Sequence, residues 1–401
     1  MSEPAPPPPV GPASGTGPSP SLALIFTVTI TGILANTLVG PAIPDILDAF
    51  DQPDERAGLF VAAGTLPGIV MAPVIGILAD RHGRRAVLVP CLLAFGVFGM
   101  LSAAAPSFWV LLVLRVLQGV GSAGLINLAV VLIGDRWSGL ERARRVGHNA
   151  AVLTVSLAVF PPVGGLLTEL GGWRLSFAPY AIGLWTALRI WRGLLPTPAT
   201  DAVGVREQLG AARTAVRQRD VVGSIPIGFV LFVLIFGLFL TALPVHLERE
   251  FDLGAGWRGL VLAVPALTST VGALRVGALR ARYGAVPLVV AAGALFTVAF
   301  VVMGVAGSLP VLLAGALVYG AGEGICIPTL QDVVTGAAPP SQRGAVVAVW
   351  VGAARAGQTA GPLAASAVYG AVGTGTTFVL GGALAAVILG AELAGRFGAD
   401  V

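Results

Sequence analysis

Along the chain, long apolar stretches alternate with short polar connections. Twelve stretches are long enough to cross about 30 Å of hydrocarbon at about 1.5 Å per residue. They fall near 22–44, 57–79, 86–105, 108–133, 146–168, 174–195, 222–244, 257–279, 285–306, 309–332, 344–369 and 374–395. Pro and Gly within 146–168 and 309–332 make those two the least regular of the set. The pattern predicts an all-α membrane protein with twelve transmembrane helices. Residues 1–20 form a Pro/Gly/Ser tail without a basic region, apolar core and cleavage site, so it reads as a disordered cytoplasmic tail and not a signal peptide. The stretch 196–221 is the one long polar interior segment. Pro196 and Pro198 close the sixth span, and Arg206 to Asp220 suit a short amphipathic surface helix. This linker divides the chain into halves at 21–195 and 222–396, with 397–401 as a C-terminal tail.

The halves repeat. GILADRHG at 76–83 returns as GALRARYG at 277–284, and the AIP ending at Pro44 returns as the ALP ending at Pro244. LQGVGSAG at 117–124 aligns with VYGAGEGI at 318–325, and Pro162 with Pro362. Two parallel helical bundles meeting at a central cavity allow alternating access by rocking one half against the other.

Composition and charge narrow the picture. The chain has 401 residues, 56% hydrophobic and 11% charged, and its mean hydropathy is +0.88. All 24 basic residues are arginine, against 20 acids. Without lysine there is no P-loop and no Schiff-base site, so a nucleotide does not drive the protein by the usual loop. A net charge of +4 over this length does not point to nucleic acid. Eighteen arginines fall on one side of the proposed topology, including Arg81, Arg84, Arg85, Arg136 and Arg280; Arg56, Arg174, Arg249 and Arg258 fall on the other. The positive-inside rule then places both termini in the cytoplasm of a multi-pass cell-membrane protein. The opposite loops are acidic, with Asp45, Asp48, Asp51, Asp54, Glu55, Glu248, Glu250 and Asp252. Cys91 and Cys326 sit in apolar runs, which suits buried thiols. His82, His148 and His246 are scattered at helix ends, and no metal or cofactor is expected.

GILADRHGRRAVL at 76–88 closely resembles the loop between the second and third helices of the major facilitator superfamily, G-x-L-a-D-r-x-G-R-[KR]. Gly76, Leu78, Asp80, Arg81, Gly83, Arg84 and Arg85 carry the match. Gly76 suits close helix packing, Gly83 a turn with positive φ, and Asp80 can accept hydrogen bonds from a neighbouring helix N-terminus. The resemblance implies a latch on the cytoplasmic side, with the Pro339-Pro340-Ser341 segment before Arg343 as its counterpart. Ala281 replaces Asp80 in the second copy, so the latch would be asymmetric. LRVLQGVGSAG at 114–124 is similar to the family's fourth-helix pattern, in which the arginine is associated with proton coupling. Arg115, Gln118, Gly119 and Ser122 share one helical face. The fifth-helix pattern of the drug antiporters is only partly present. Pro162, Gly164 and Gly165 remain, but Leu157 and Pro161 replace two glycines, while Gly357, Gly361 and Pro362 carry the arrangement in the eleventh span.

Few ionisable groups fall inside the spans, and such groups are functional candidates by default. Asn36 is the main polar residue of the first span. Glu323 in GAGEGICIP lies about 20 Å into the tenth. Pro328 cannot donate to the carbonyl of Gly324, and Gly320, Gly322 and Gly324 are expected to leave room for water or substrate. Asp332 lies nearer the cytoplasmic end and reads as a gate residue. Arg355, Gln358 and Thr359 are near mid-depth in the eleventh span. Glu323 is expected to bind a proton or a cationic substrate during turnover, with Arg115 or Arg355 modulating its charge, the alternative being that Arg355 neutralises it permanently. The resulting expectation is a monomeric secondary transporter of a small molecule, driven by a proton gradient, working in the direction of efflux. Its alternatives are an uptake symporter for a sugar, carboxylate or amino-acid-like solute and, more remotely, a membrane-embedded enzyme or receptor.

Overall fold

The computed structural model describes residues 21–194, 219–336 and 343–393. The expected tails, most of the 196–221 linker with its surface helix, and the Pro339–Ser341 latch counterpart lie outside the described residues. Those described form an all-helical protein, with the helices in chain order α1 Leu22–Ala49, α2 Asp54–His82, α3 Arg84–Ala104, α4 Phe108–Arg136 and α5 Gly139–Leu175. Next come α6 Ile182–Gly193, α7 Ile225–Arg249, α8 Ala255–Tyr283 and α9 Ala285–Gly304. The series closes with α10 Leu309–Gly336, α11 Arg343–Val372 and α12 Thr374–Leu393. Each six-helix half packs mainly on itself, and α2, α5, α8 and α11 supply most of the contact between halves.

Local chemistry explains the boundaries. Ser21 and Ser107 cap α1 and α4 by accepting from the backbone N–H of Leu24 and Val110. Gly83 and Gly284 join α2 to α3 and α8 to α9 with φ of 88° and 81°, so the repeated sequence turns the chain the same way in both halves. Leu66 before Pro67 in α2 and Val264 before Pro265 in α8 keep helical φ and ψ, so both helices of the repeat continue through the proline.

Irregularity falls in different places from those expected. α5 passes through Pro161 and Pro162 and departs from helical geometry only at Gly171–Gly172. α10 runs through Pro328 to Gly336. The widest departure is in α7, a π-helical stretch at Leu234–Ala242. There Thr241 donates to the Phe236 carbonyl at 2.6 Å, and a Cβ on Gly237 would stand 2.5 Å from the Gly361 carbonyl oxygen. The two glycines let α7 and α11 touch backbone to backbone.

The larger apolar core runs through both halves and includes Phe95, Phe108, Tyr180, Phe296 and Phe300; a second core, with Ile25, Leu88, Leu128 and Ile190, fills the arginine-rich end of the first half. Leu93, Trp109 and Trp185 are among the large apolar side chains left exposed, as suits a surface in contact with acyl chains.

Candidate functional site

The two ends of the interface between halves differ. At the acidic end the halves are in close contact. A Cβ on Gly165 would stand 2.2 Å from the Ala255 carbonyl oxygen, on Gly259 2.3 Å from that of Pro161, and on Gly58 2.3 Å from that of Pro362. Only glycine permits this approach of α5 to α8 and α2 to α11. Charges seal the same end. Arg249 of α7 grips Asp54 through Nε at 2.8 Å and Nη2 at 2.9 Å, and reaches Asp48 at 3.3 Å. Arg258 of α8, 2% exposed, pairs with Asp45 and stands 3.7 Å from Glu248. Tyr369 donates to the Asp54 carbonyl, and Glu169 accepts from Gly256 N–H at 2.9 Å. The acidic loops were legible in the sequence. Their partners carry no such local signal: Arg249 and Arg258 read only as arginines on the minority side, and nothing in the neighbourhood of Tyr369 marks it.

At the arginine-rich end the described ion pairs stay within one half. Arg84 binds Asp80 and, at 3.1 Å, Asp135. Arg280 binds Asp332 at 2.6 Å, which ties the expected gate residue to α8 of its own half. Gly83 has the expected positive φ. Gly76 does not have the expected packing role here, because nothing lies within 4 Å of where its Cβ would be. The reason is that this end of α2 stands clear of a neighbour, whereas Gly58 at the other end is pressed on α11. Arg81 is exposed, and Arg85 lies 5.8 Å from the Trp191 ring centroid.

Between the ends lie the polar residues of mid-depth. Arg115 is 2% exposed and donates to Gln118 Oε1 at 2.7 Å and to the Ala35 carbonyl at 3.0 Å. Its guanidinium sits 4.8 Å from the Phe60 ring, and Tyr180 reaches the same Ala35 carbonyl at 3.3 Å. Arg115 thus braces α1 next to Asn36, whose Oδ1 is buried without a hydrogen-bond partner. On α11, Arg355 repeats the Arg-x-x-Gln spacing, donating to Gln358 Oε1 at 3.2 Å, and crosses between halves to the Ala123 carbonyl at 3.4 Å. Neither arginine makes an ion pair among the described residues, so the expected neutralisation of Glu323 by Arg355 is not formed. Thr65 and Thr359 bridge α2 and α11 at 3.1 Å.

Glu323 is set apart from this group. Its immediate polar neighbours are Ser269 of α8 and Tyr319 one turn earlier on α10. Tyr319 stacks on Phe239 with centroids 4.5 Å apart. The flanking glycines do not open space, contrary to expectation. A Cβ on Gly320 would stand 2.2 Å from the Pro265 carbonyl oxygen and on Gly324 2.2 Å from that of Ser269. They instead draw α10 onto α8, which fixes the height of the carboxylate. The space lies on the other side, in a cavity of about 60 Å³ that Glu323 lines with Ser269, Ile235 and Phe239 from the second half and Thr37, Thr154 and Pro161 from the first. That volume suffices for a few waters. Thr154 and Ala266 also border an apolar groove of about 810 Å³ between α5 and α8, which extends along Ala150, Ala151 and Leu274.

A membrane-embedded pair of six-helix halves, sealed at one end, with a carboxylate facing a cavity between them, is the architecture of a secondary transporter. The chain belongs to the Major Facilitator Superfamily, whose family model matches residues 25–257 and 225–394. Among its relatives are the bacillibactin exporter of Bacillus subtilis, 26% identical with 80% of this chain and 82% of that one covered. The class B tetracycline resistance protein of Escherichia coli is 25% identical, with 85% and 86% covered. A crystal structure of a bacterial homologue of the human lysosomal transporter Spinster superposes with a TM-score of 0.72 over 94% of this chain and 95% of that one, at 19% identity, a likeness of fold. The protein is a multi-pass membrane transporter of a small molecule, not an enzyme.

Proposed function

We propose that this protein exports a small molecule in exchange for protons by alternating access, with the arginine-rich face in the cytoplasm. On that reading the structure is inward-facing. The seal made by Arg249, Arg258 and Tyr369 closes the outer side, while the ion pairs among the described residues of the inner end stay within each half. Glu323 is the group that takes up the proton. The observation that carries this is its position: it lines a cavity formed by both halves, and no arginine lines that cavity with it. An isolated carboxylate at that depth is costly when charged, so exchange of a proton for a substrate group gives a favourable occupant in each state. Arg115 and Gln118 hold the α1 backbone beside Asn36 and act as positioning residues. Gly76, Asp80, Arg81, Gly83, Arg84 and Arg85 form the inner turn that closes when the outer side opens. The efflux direction draws support from relatives that are an exporter and a resistance protein.

The test uses everted vesicles from cells overproducing the full chain, with bacillibactin and tetracycline as probes. Acidifying the vesicle interior should drive accumulation of one or both, and collapsing the pH gradient should abolish it. Accumulation that persists without a gradient overturns the coupling; accumulation driven instead by an acidic exterior overturns the direction.

A second reading of the substrate rests on Arg355, which reaches between the halves without a carboxylate partner among the described residues. It favours an anionic solute. Competition by anionic but not cationic analogues, lost in Arg355→Gln, would distinguish it.

A further inference from the structure

The transport reading places Arg85 in the inner turn but assigns its charge no partner. Within the family-like turn it is Arg84 that binds Asp80 and Asp135. Arg85 makes no ion pair among the described residues; its charge rests 5.8 Å from the Trp191 ring. It faces a cavity of about 350 Å³ at the arginine-rich end of the first half, lined by His82, Arg85, Ala86, Val89, Pro90 and Trp191. Among the described residues no carboxylate lines it. His82 turns Nδ1 to the Leu78 carbonyl at 3.2 Å, which leaves the other ring nitrogen free of that contact.

The lining is graded along α3. Arg85 and His82 lie at the rim, and Ala86, Val89 and Pro90 continue from the rim by one turn and more, toward the middle of the helix. Trp191, 54% exposed, forms the opposing wall from the last turn of α6. α3 and α6 pack within the first half, so the cavity lies outside the interface at which the halves move.

We propose that this cavity binds an anionic phospholipid of the surrounding leaflet. The phosphodiester receives the Arg85 guanidinium beside the His82 ring, and the glycerol and upper acyl chain lie on Trp191, Val89 and Pro90. A cationic pocket between transmembrane helices beside an anionic leaflet suits such a headgroup, and tryptophan suits that depth. Arginine meets a phosphate with two parallel N–H donors, which a lysine in the same place does not. An apolar wall below the charge favours a lipid over a free phosphate, because inorganic phosphate covers only the rim. The lipid pins the α2–α3 turn to α6 and steadies the first half as a rigid body, without contributing to Glu323 or to the proton cycle.

The experiment uses the purified, delipidated full chain in a neutral detergent. Dioleoyl phosphatidylglycerol, dioleoyl phosphatidylcholine and inorganic phosphate are added separately, with bound lipid counted by native mass spectrometry and unfolding followed by heating. Phosphatidylglycerol should bind several-fold more tightly than phosphatidylcholine and raise the melting temperature. Arg85→Gln should weaken phosphatidylglycerol about five-fold, as expected for one surface cation, and Trp191→Leu should weaken both lipids. Arg174→Gln, at the opposite end of the half, should change neither. Equal binding of the two lipids by wild type, or undiminished phosphatidylglycerol binding by Arg85→Gln, overturns the proposal. Stabilisation of equal size by inorganic phosphate assigns the rim to a free anion and also overturns it. Should Arg85→Gln fold poorly, the wild-type comparison of lipids decides alone.

Discussion

Removing the Asp45 carboxylate is the sharpest perturbation of the outer seal. In Asp45→Asn the Arg258 guanidinium, 2% exposed, would keep only Glu248 at 3.7 Å as a charged neighbour. Breaking a fully buried ion pair from one side costs about 3–5 kcal/mol. Asp45 itself is 37% exposed, so solvent weakens the pair, and about 1–3 kcal/mol remains against the closed state. That corresponds to a shift of roughly 5- to 150-fold toward the state open on the acidic side. Arg258→Gln should shift it less, because the carboxylate it leaves behind can hydrate. Spin labels at Pro53→Cys and Asp252→Cys, in a Cys91→Ala, Cys326→Ala background in nanodiscs, report the separation of the two halves at this end by pulsed electron paramagnetic resonance. The parent should give one short distance, and Asp45→Asn a second, longer population. The swapped pair Asp45→Arg, Arg258→Asp should recover part of the short population. An unchanged single distance in Asp45→Asn would show that the ion pair does not hold the seal.

Three further outcomes follow from the same geometry. Gly83→Ala forces a side chain onto φ 88° and ψ 151°, a region essentially restricted to glycine, and should destabilise the protein by about 1–3 kcal/mol in chemical denaturation, whereas Gly76→Ala, with nothing within 4 Å, should leave stability unchanged. Gly165→Val should open the acidic end still further than Asp45→Asn in the same distance measurement, since its Cβ meets backbone 2.2 Å away. Arg115→Ala should unfold at lower denaturant concentration, having released the Ala35 carbonyl and Gln118.

Much of this architecture was legible before any coordinates. Hydropathy is a local property, so all twelve helices stood out, and Gly83 could be assigned its turn because a positive φ has a residue-level signature. What escaped was non-local. Arg258 and Asp45 are 213 positions apart, and nothing in either sequence neighbourhood announces the other. The same holds for Gly76 and Gly58, both plausible packing glycines; which one is pressed against α11 depends on which end of the interface is closed. The glycines around Glu323 illustrate a different ambiguity. A missing Cβ creates either a void or a close approach, and only the position of α8 decides in favour of approach. Pro161 and Pro328 are poor guides to irregularity, because a single lost hydrogen bond is absorbed within a well-packed membrane helix, while the π stretch of α7 has no proline at all between Leu234 and Ala242.

The central claim is that Glu323 carries the proton, and one comparison isolates it. Proteoliposomes containing wild type or Glu323→Gln are assayed for tetracycline or bacillibactin, whichever wild type transports, in two modes: exchange of labelled for unlabelled substrate without a gradient, and accumulation driven by a pH gradient. The account predicts that Glu323→Gln keeps exchange and loses gradient-driven accumulation. A variant that still accumulates substrate against its gradient when a pH gradient is imposed would contradict it.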